Sequence, residues 1–201
     1  MPAARNRPAA LPALAGLLVA VLLAGCTSGD RAEPPGQTTG PSGAPAQPLR
    51  VELVTAAKVP EGGLSAERAA RRAAPSLERF LDRYLTVAFV DAAGGEAGWD
   101  GLLGLFDKPV RASARKQLDA LSLGDAAPTV RAVRPTRATA RAVVLYRERR
   151  PAAATVRVVF DGTADTAKGS GELHLRSVLQ LLATGESWRI AAFDSRTGPP
   201  R

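Results

Sequence analysis

The stretch Leu173–Arg196, "LHLRSVLQLLATGESWRIAAFDSR", decides how this chain is read. Leu173, Leu175, Leu179 and Leu181 stand at even spacing, which in an extended chain puts all four on one face. "TGES", Thr184–Ser187, interrupts that pattern with a glycine among polar residues, and Trp188, Ile190 and Ala192 then resume it. Two alternating runs joined by a short glycine-containing turn predict a β-hairpin with one apolar face. The same period extends toward the N-terminus. Val156, Val158 and Phe160 alternate, and before them Ala138, Ala140, Ala142, Val144 and Tyr146 are interleaved with Thr139, Arg141, Val143, Leu145 and Arg147. After Asp125 the chain therefore reads as three or four long antiparallel strands joined by hairpins.

Before Asp125 the period is 3.6. Leu77, Phe80, Leu81, Tyr84, Leu85, Ala88 and Phe89 follow the i, i+3, i+4, i+7 rule and predict an amphipathic helix that begins after Leu64. Pro75 is expected to restart or kink it, because proline removes an interior hydrogen bond. Beyond "DAAGGEAG", Trp99, Leu102, Leu103 and Phe106 predict a second short helix. Pro109 opens a third, with Val110, Ala114, Leu118 and Leu121 inward and Gly124 as its stop. "LRVELVTA", Leu49–Ala56, adds a short strand ahead of the helices. Helices followed by a strongly curved antiparallel sheet make an α+β fold. One domain over residues 49–197 is expected.

The N-terminal quarter has a different character. Thr27–Pro48, "TSGDRAEPPGQTTGPSGAPAQP", holds five prolines and four glycines and no bulky apolar side chain. It is expected to be a disordered tether, reaching roughly 25 to 30 Å for a flexible segment of this length. Ahead of it, Arg5 and Arg7 precede an uncharged run, Ala9–Gly25, rich in leucine, alanine and valine. That is the arrangement of a signal peptide over residues 1–25, and the run is short of the roughly 20 apolar residues that a spanning helix needs. The run ends in Cys26, the single cysteine of the chain.

Leu23, Ala24, Gly25 and Cys26 resemble the lipobox of bacterial lipoproteins. The resemblance implies diacylglycerylation of the Cys26 thiol with palmitate-type chains, cleavage between Gly25 and Cys26, and lipid anchoring on the extracytoplasmic face of the cell membrane. Two or three acyl chains hold a protein stably where one does not. From about Leu64 to Asp194 the chain also resembles the nuclear transport factor 2-like superfamily, which includes ketosteroid isomerases and polyketide-cyclase-like proteins. "LERFLDRYLTVAFV", "GWDGLLGLFDKPVRASARKQLDALSLG" and the closing hairpin carry that likeness. It implies a cone-like fold, with helices against a concave sheet and a pocket between them. Exported actinobacterial lipoproteins are similar in this respect, and the arginine, alanine, proline and glycine bias agrees with a GC-rich genome.

Composition limits the chemistry. Hydrophobic residues make up 45% of the chain but aromatics only 4%, so the core must be built from small aliphatic side chains. The formal charge is +8, yet no block is dense enough to require nucleic acid. Arg131, Arg134, Arg137, Arg141, Arg147, Arg149 and Arg150 gather around the first long strands and read as a solvated, edge-protecting face or as a surface for anionic lipid headgroups or wall polymers. His174 is the only histidine and falls on the outward face, so neither a histidine-based metal site nor a Ser-His-Asp triad is expected. "DGTADTAKGSGE", Asp161–Glu172, mimics a calcium loop but has Thr166 where the turn needs glycine, and it reads as a polar hairpin.

Tyr84, Trp99, Tyr146 and Trp188 are the residues that would line a pocket, or else they are ordinary packing units. An isomerase-like reaction would need a carboxylate base in an apolar site, and Asp91 or Asp100 would have to supply it, with Tyr84 or Tyr146 as donor. No spacing selects them. The expectation is an exported, membrane-anchored binding or interaction module without cofactor, metal or catalytic residue. Its partner would be an envelope protein or a small apolar ligand. A ketosteroid-isomerase-like enzyme is the alternative.

Overall fold

Ser65 accepts a hydrogen bond from the Arg68 amide (3.3 Å) and so caps the first helix, α1, Ala66–Leu85. Glu67 in its first turn and Arg83 in its last complement the helix dipole. These elements belong to a computed structural model that describes residues 49–60, 64–93, 95 and 99–198. The expected signal peptide, Gly25 and Cys26 at its cleavage site, and the tether lie outside the described residues.

Ahead of α1 stands strand β1, Glu52–Lys58, a few residues later than the sequence suggests. A one-turn π segment, Thr86–Val90, continues α1, closed by the Asp91 amide on the Thr86 carbonyl (2.8 Å). Three short helices follow: α2 Trp99–Leu103, α3 Arg111–Lys116 and α4 Leu118–Leu121, with 3₁₀ turns at Lys108–Val110 and Gly124–Thr129. Four long strands complete the chain: β2 Val130–Arg147, β3 Arg150–Thr166, β4 Gly169–Thr184 and β5 Ser187–Gly198. The class is α+β, with one five-stranded sheet in the order β1-β2-β3-β4-β5. Among the described residues no helix is long and apolar enough to cross a membrane.

Four sequence expectations need correction. The sheet is mixed, not antiparallel: β2 to β5 are antiparallel as read, but β1 pairs parallel to β2, with Glu52 opposite Thr139 and Lys58 opposite Leu145. A parallel partner needs a crossover connection, and here all the described helices lie between the two strands. Second, α1 is continuous through Pro75 and does not restart there, because apolar burial on both sides of it, from Ala69 to Leu85, outweighs one lost hydrogen bond. Third, the expected third helix is two helices, parted at Gln117, whose backbone (φ −126°, ψ 29°) is not helical.

Fourth, the faces of the β4–β5 hairpin exchange part-way along it. A register shift at Gln180/Leu181 leaves Ala191 without a partner, so Leu181 faces Ile190 while Gln180 faces Ala192. Ala192 therefore does not share the face of Trp188 and Ile190. Phe193 and Ser195 turn inward instead, the first edge-on to Phe106 (centroids 5.6 Å apart) and the second bonded through its hydroxyl to buried Ser177. One extra residue exchanges the two faces of everything beyond it.

Buried residues of α1, α2, α4 and the inward strand faces form one hydrophobic core. The Val51 amide donates to the Asp82 carboxylate (2.8 Å), which ties the entry of β1 to α1. Residues 105–107 cover the free edge of β5: the Asp107 amide donates to the Ile190 carbonyl and the Ile190 amide to that of Leu105, both at 2.9 Å. Each tight turn shows its chemistry. Gly185 opens the β4–β5 turn at φ +69°, as a turn with glycine first requires. Glu148 and Arg149 both hold positive φ in the β2–β3 turn (51° and 64°), a strained choice for side chains other than glycine or asparagine.

Candidate functional site

Tyr84 sits in the last turn of α1, fully buried, and its hydroxyl donates to the Leu121 carbonyl (3.1 Å). Burial pushes its pKa well above the ordinary phenol value. Tyr146, near the end of β2, donates to the Ala69 carbonyl (2.7 Å). Its pKa is also raised, by burial first, with the nearby Arg72 charge pulling partly back. Trp188, at the start of β5, donates from its indole nitrogen to the Ser76 hydroxyl (3.0 Å), which itself donates to the Ala73 carbonyl (2.9 Å). Trp99 begins α2, half-buried against the core.

These placements have a common sense. Each buried aromatic has its polar tip satisfied by a partner within the fold. Tyr146 and Trp188 grip α1 two turns apart, from β2 and β5, while Tyr84 reaches the other way, toward α4. Among four clefts formed by described residues, only one is lined by any of the four aromatics, and that one is Trp188. Asp91 and Asp100 are exposed and line none of these clefts.

The cleft beside Trp188 has a volume of about 660 Å³. Arg72 and Arg79 reach it from α1, Arg150 from the start of β3, and Glu186 from the β4–β5 turn. Sequence reading singled out Arg150 but missed Arg72 and Arg79. The available signal was their spacing, two turns apart on α1, on either side of Pro75–Ser76.

His174 is exposed on β4, as expected. Its Nδ1 lies 2.8 Å from Asp161 and its Nε2 3.3 Å from Glu172, while Arg176 donates to the same Asp161 oxygen (2.8 Å). Hydrogen bonding to Asp161 and then to Glu172 raises the His174 pKa. Burial pushes Asp161 up, but the bonds from Arg176 and His174 outweigh it and hold its carboxyl below the usual range. Ser177 points into the core from the opposite face, so these groups do not make a nucleophilic triad. The calcium-loop look-alike is spread over two paired strands, with Asp161 opposite His174 and Thr163 opposite Glu172. Among the described residues no group of acids, histidine or cysteine has the arrangement of a metal site.

The raised His174 pKa has a measurable sign. Its contribution to stability is complete below the ordinary histidine value of 6.5 and is lost as pH rises through the higher folded-state pKa. His174→Gln is therefore expected to shrink the difference in thermal midpoint between pH 6 and pH 8.5. An unchanged difference would place that pH dependence elsewhere.

Part of the outer face of the sheet, which elsewhere carries Arg141, Arg157 and His174, is apolar. Val54 (60% exposed), Leu145 (47%), Leu182 (43%) and Val143 (40%) are solvent-facing. Register sets Leu145, Ala153 and Leu182 side by side across β2, β3 and β4, with Val143 beside Ala56 on β1, while Val54 stands opposite Arg141. Comparison with known proteins finds no matching family, no matching curated protein and no matching solved structure.

Proposed function

We propose that this chain is an exported lipoprotein, anchored to the extracytoplasmic face of the cell membrane through lipidated Cys26, whose domain is a non-catalytic interaction module for an envelope protein. The observation that carries the module reading is the exposed apolar strip across β1 to β4. An apolar patch on a face otherwise open to water is a surface that a partner protein removes from solvent. The domain is read as cone-like, with helices on a curved sheet in the manner of the nuclear transport factor 2-like superfamily, supported by the order of its elements.

The isomerase-like alternative calls for a cavity that brings a carboxylate to a tyrosine. None of the four clefts described above is lined by a tyrosine, and the tips of Tyr84 and Tyr146 are engaged by backbone carbonyls.

Two variants test the halves separately. Cys26→Ala is expected to abolish metabolic labelling with radioactive palmitate and to leave uncleaved precursor; unchanged labelling defeats the anchor. Cross-linking in intact cells followed by purification should recover an envelope protein with the wild-type chain and lose it with Leu145→Asp/Leu182→Asp. Equal recovery with both chains defeats the docking face.

A further inference from the structure

Every arginine of the Trp188 cleft points to the same chemistry. Arg72 and Arg79 come from α1 and Arg150 from β3, so two elements far apart in sequence place three arginines around one space. All three are exposed, and none makes an ion pair with any described acid, although the chain pairs Arg71, Arg134, Arg147 and Arg176 elsewhere. Glu186 is the one acid that lines the cleft, and it stands on the turn between β4 and β5. The wall behind them is set: the Trp188 indole is 3% exposed and is held through Ser76 to the α1 backbone at Ala73. Arginines around a fixed polar wall keep their donors free for a ligand, and guanidinium forks match the oxygens of a phosphate in pairs.

We infer that the cleft between α1, the start of β3 and the β4–β5 turn is a binding site for a phosphate ester, held by Arg72, Arg79 and Arg150. Three positive groups against one glutamate select an anion, and three forks suit a group with several oxygens better than a carboxylate with two. Exposure keeps each contact modest and sensitive to salt. The ester is either a soluble metabolite or the headgroup of an anionic lipid, and both present the same chemistry. The site is independent of Cys26 and of the outer sheet face, so the Cys26→Ala and Leu145→Asp/Leu182→Asp chains retain it.

The chain has two tryptophans, Trp99 and Trp188, which makes the test specific. The full chain, labelled with nitrogen-15 in detergent, is titrated with glycerol 1-phosphate at low salt while the two indole N–H signals are followed, with Trp99→Phe to assign them. The Trp188 signal is expected to move and the Trp99 signal to stay. Glycerol should move neither, and succinate should act at least several-fold more weakly. Arg72→Gln/Arg79→Gln/Arg150→Gln should weaken binding about tenfold or more, the loss of roughly one charge-assisted contact or greater. The charge-matched Arg131→Gln/Arg137→Gln/Arg141→Gln should weaken it less than twofold. All six residues are exposed, so folding should survive, and circular dichroism checks that it does.

Vesicles of phosphatidylcholine with and without phosphatidylglycerol separate the two sources. If the cleft variant, and not the charge-matched one, loses the extra binding that phosphatidylglycerol adds, the ester is a lipid headgroup. If the two variants behave alike on vesicles while differing toward glycerol 1-phosphate, it is a soluble ester. The site is overturned if Trp188 does not respond, if succinate equals the phosphate ester, or if both triple variants lose affinity for glycerol 1-phosphate equally.

Discussion

Phe160→Ala is expected to destabilise the protein by about 3–5 kcal/mol, the range for truncating a fully buried aromatic side chain. Phe160 is inaccessible to solvent in the middle of β3 and stacks on Phe89 of the π segment, with centroids 4.9 Å apart and ring planes 22° apart. The alanine would leave a void between the sheet and the end of α1. A core made mainly of alanine, valine and leucine has few large neighbours able to close it. The pair also contributes beyond burial, by about 0.5–1.5 kcal/mol. Urea unfolding of the single variants and of Phe89→Ala/Phe160→Ala measures that coupling in a double-mutant cycle. Phe160→Leu, which keeps most of the volume, should cost less than half as much. A loss below 1 kcal/mol for Phe160→Ala would show that the core tolerates the void.

Gly124→Ala is expected to cost on the order of 3 kcal/mol, from backbone strain and steric overlap together. Gly124 has φ +49°, which disfavours any side chain, and a Cβ built on it would stand 1.7 Å from the Asp119 Oδ1 and 2.6 Å from the Asp119 Cα. That Oδ1 accepts the Asp125 amide (2.8 Å), so moving it also unfastens the turn between α4 and β2. Gly185→Ala serves as the comparison. It too has positive φ (+69°) but meets nothing within 4 Å, so it should show the strain alone, about 1–2 kcal/mol. Equal losses at the two positions would mean that Asp119 moves aside at no cost. Chemical denaturation at one pH gives both values.

How far the sequence could be read depends on where each signal resides. The inward faces of β2, β3 and β4 and of α1 were legible because a residue's choice between core and water repeats with the period of its own element, and that repeat is written locally. Pro75 misled because a local rule about helix interiors was overruled by burial along the whole helix. Ala192 misled because nothing in "WRIAAFDSR" announces that Ala191 will be left out of the ladder; only pairing with β4 decides it. For the same reason Tyr84, Tyr146 and Trp188 were legible as polar-tipped aromatics, but their partners, the Leu121 and Ala69 carbonyls and the Ser76 hydroxyl, were not.

By itself the sequence determined an α+β order, the long hairpins, the amphipathic first helix and the exposure of His174, since each follows from periodicity or turn chemistry within a few residues. Only the tertiary structure decided that β1 joins in parallel, that Tyr84, Tyr146 and Trp188 are engaged one by one across the core, and that Arg72, Arg79 and Arg150 line one cleft beside Trp188. Contacts among residues 72–79, 150 and 183–188 join segments separated by whole strands and helices. Their energy arises when those segments pack, and no spacing within any one of them encodes it.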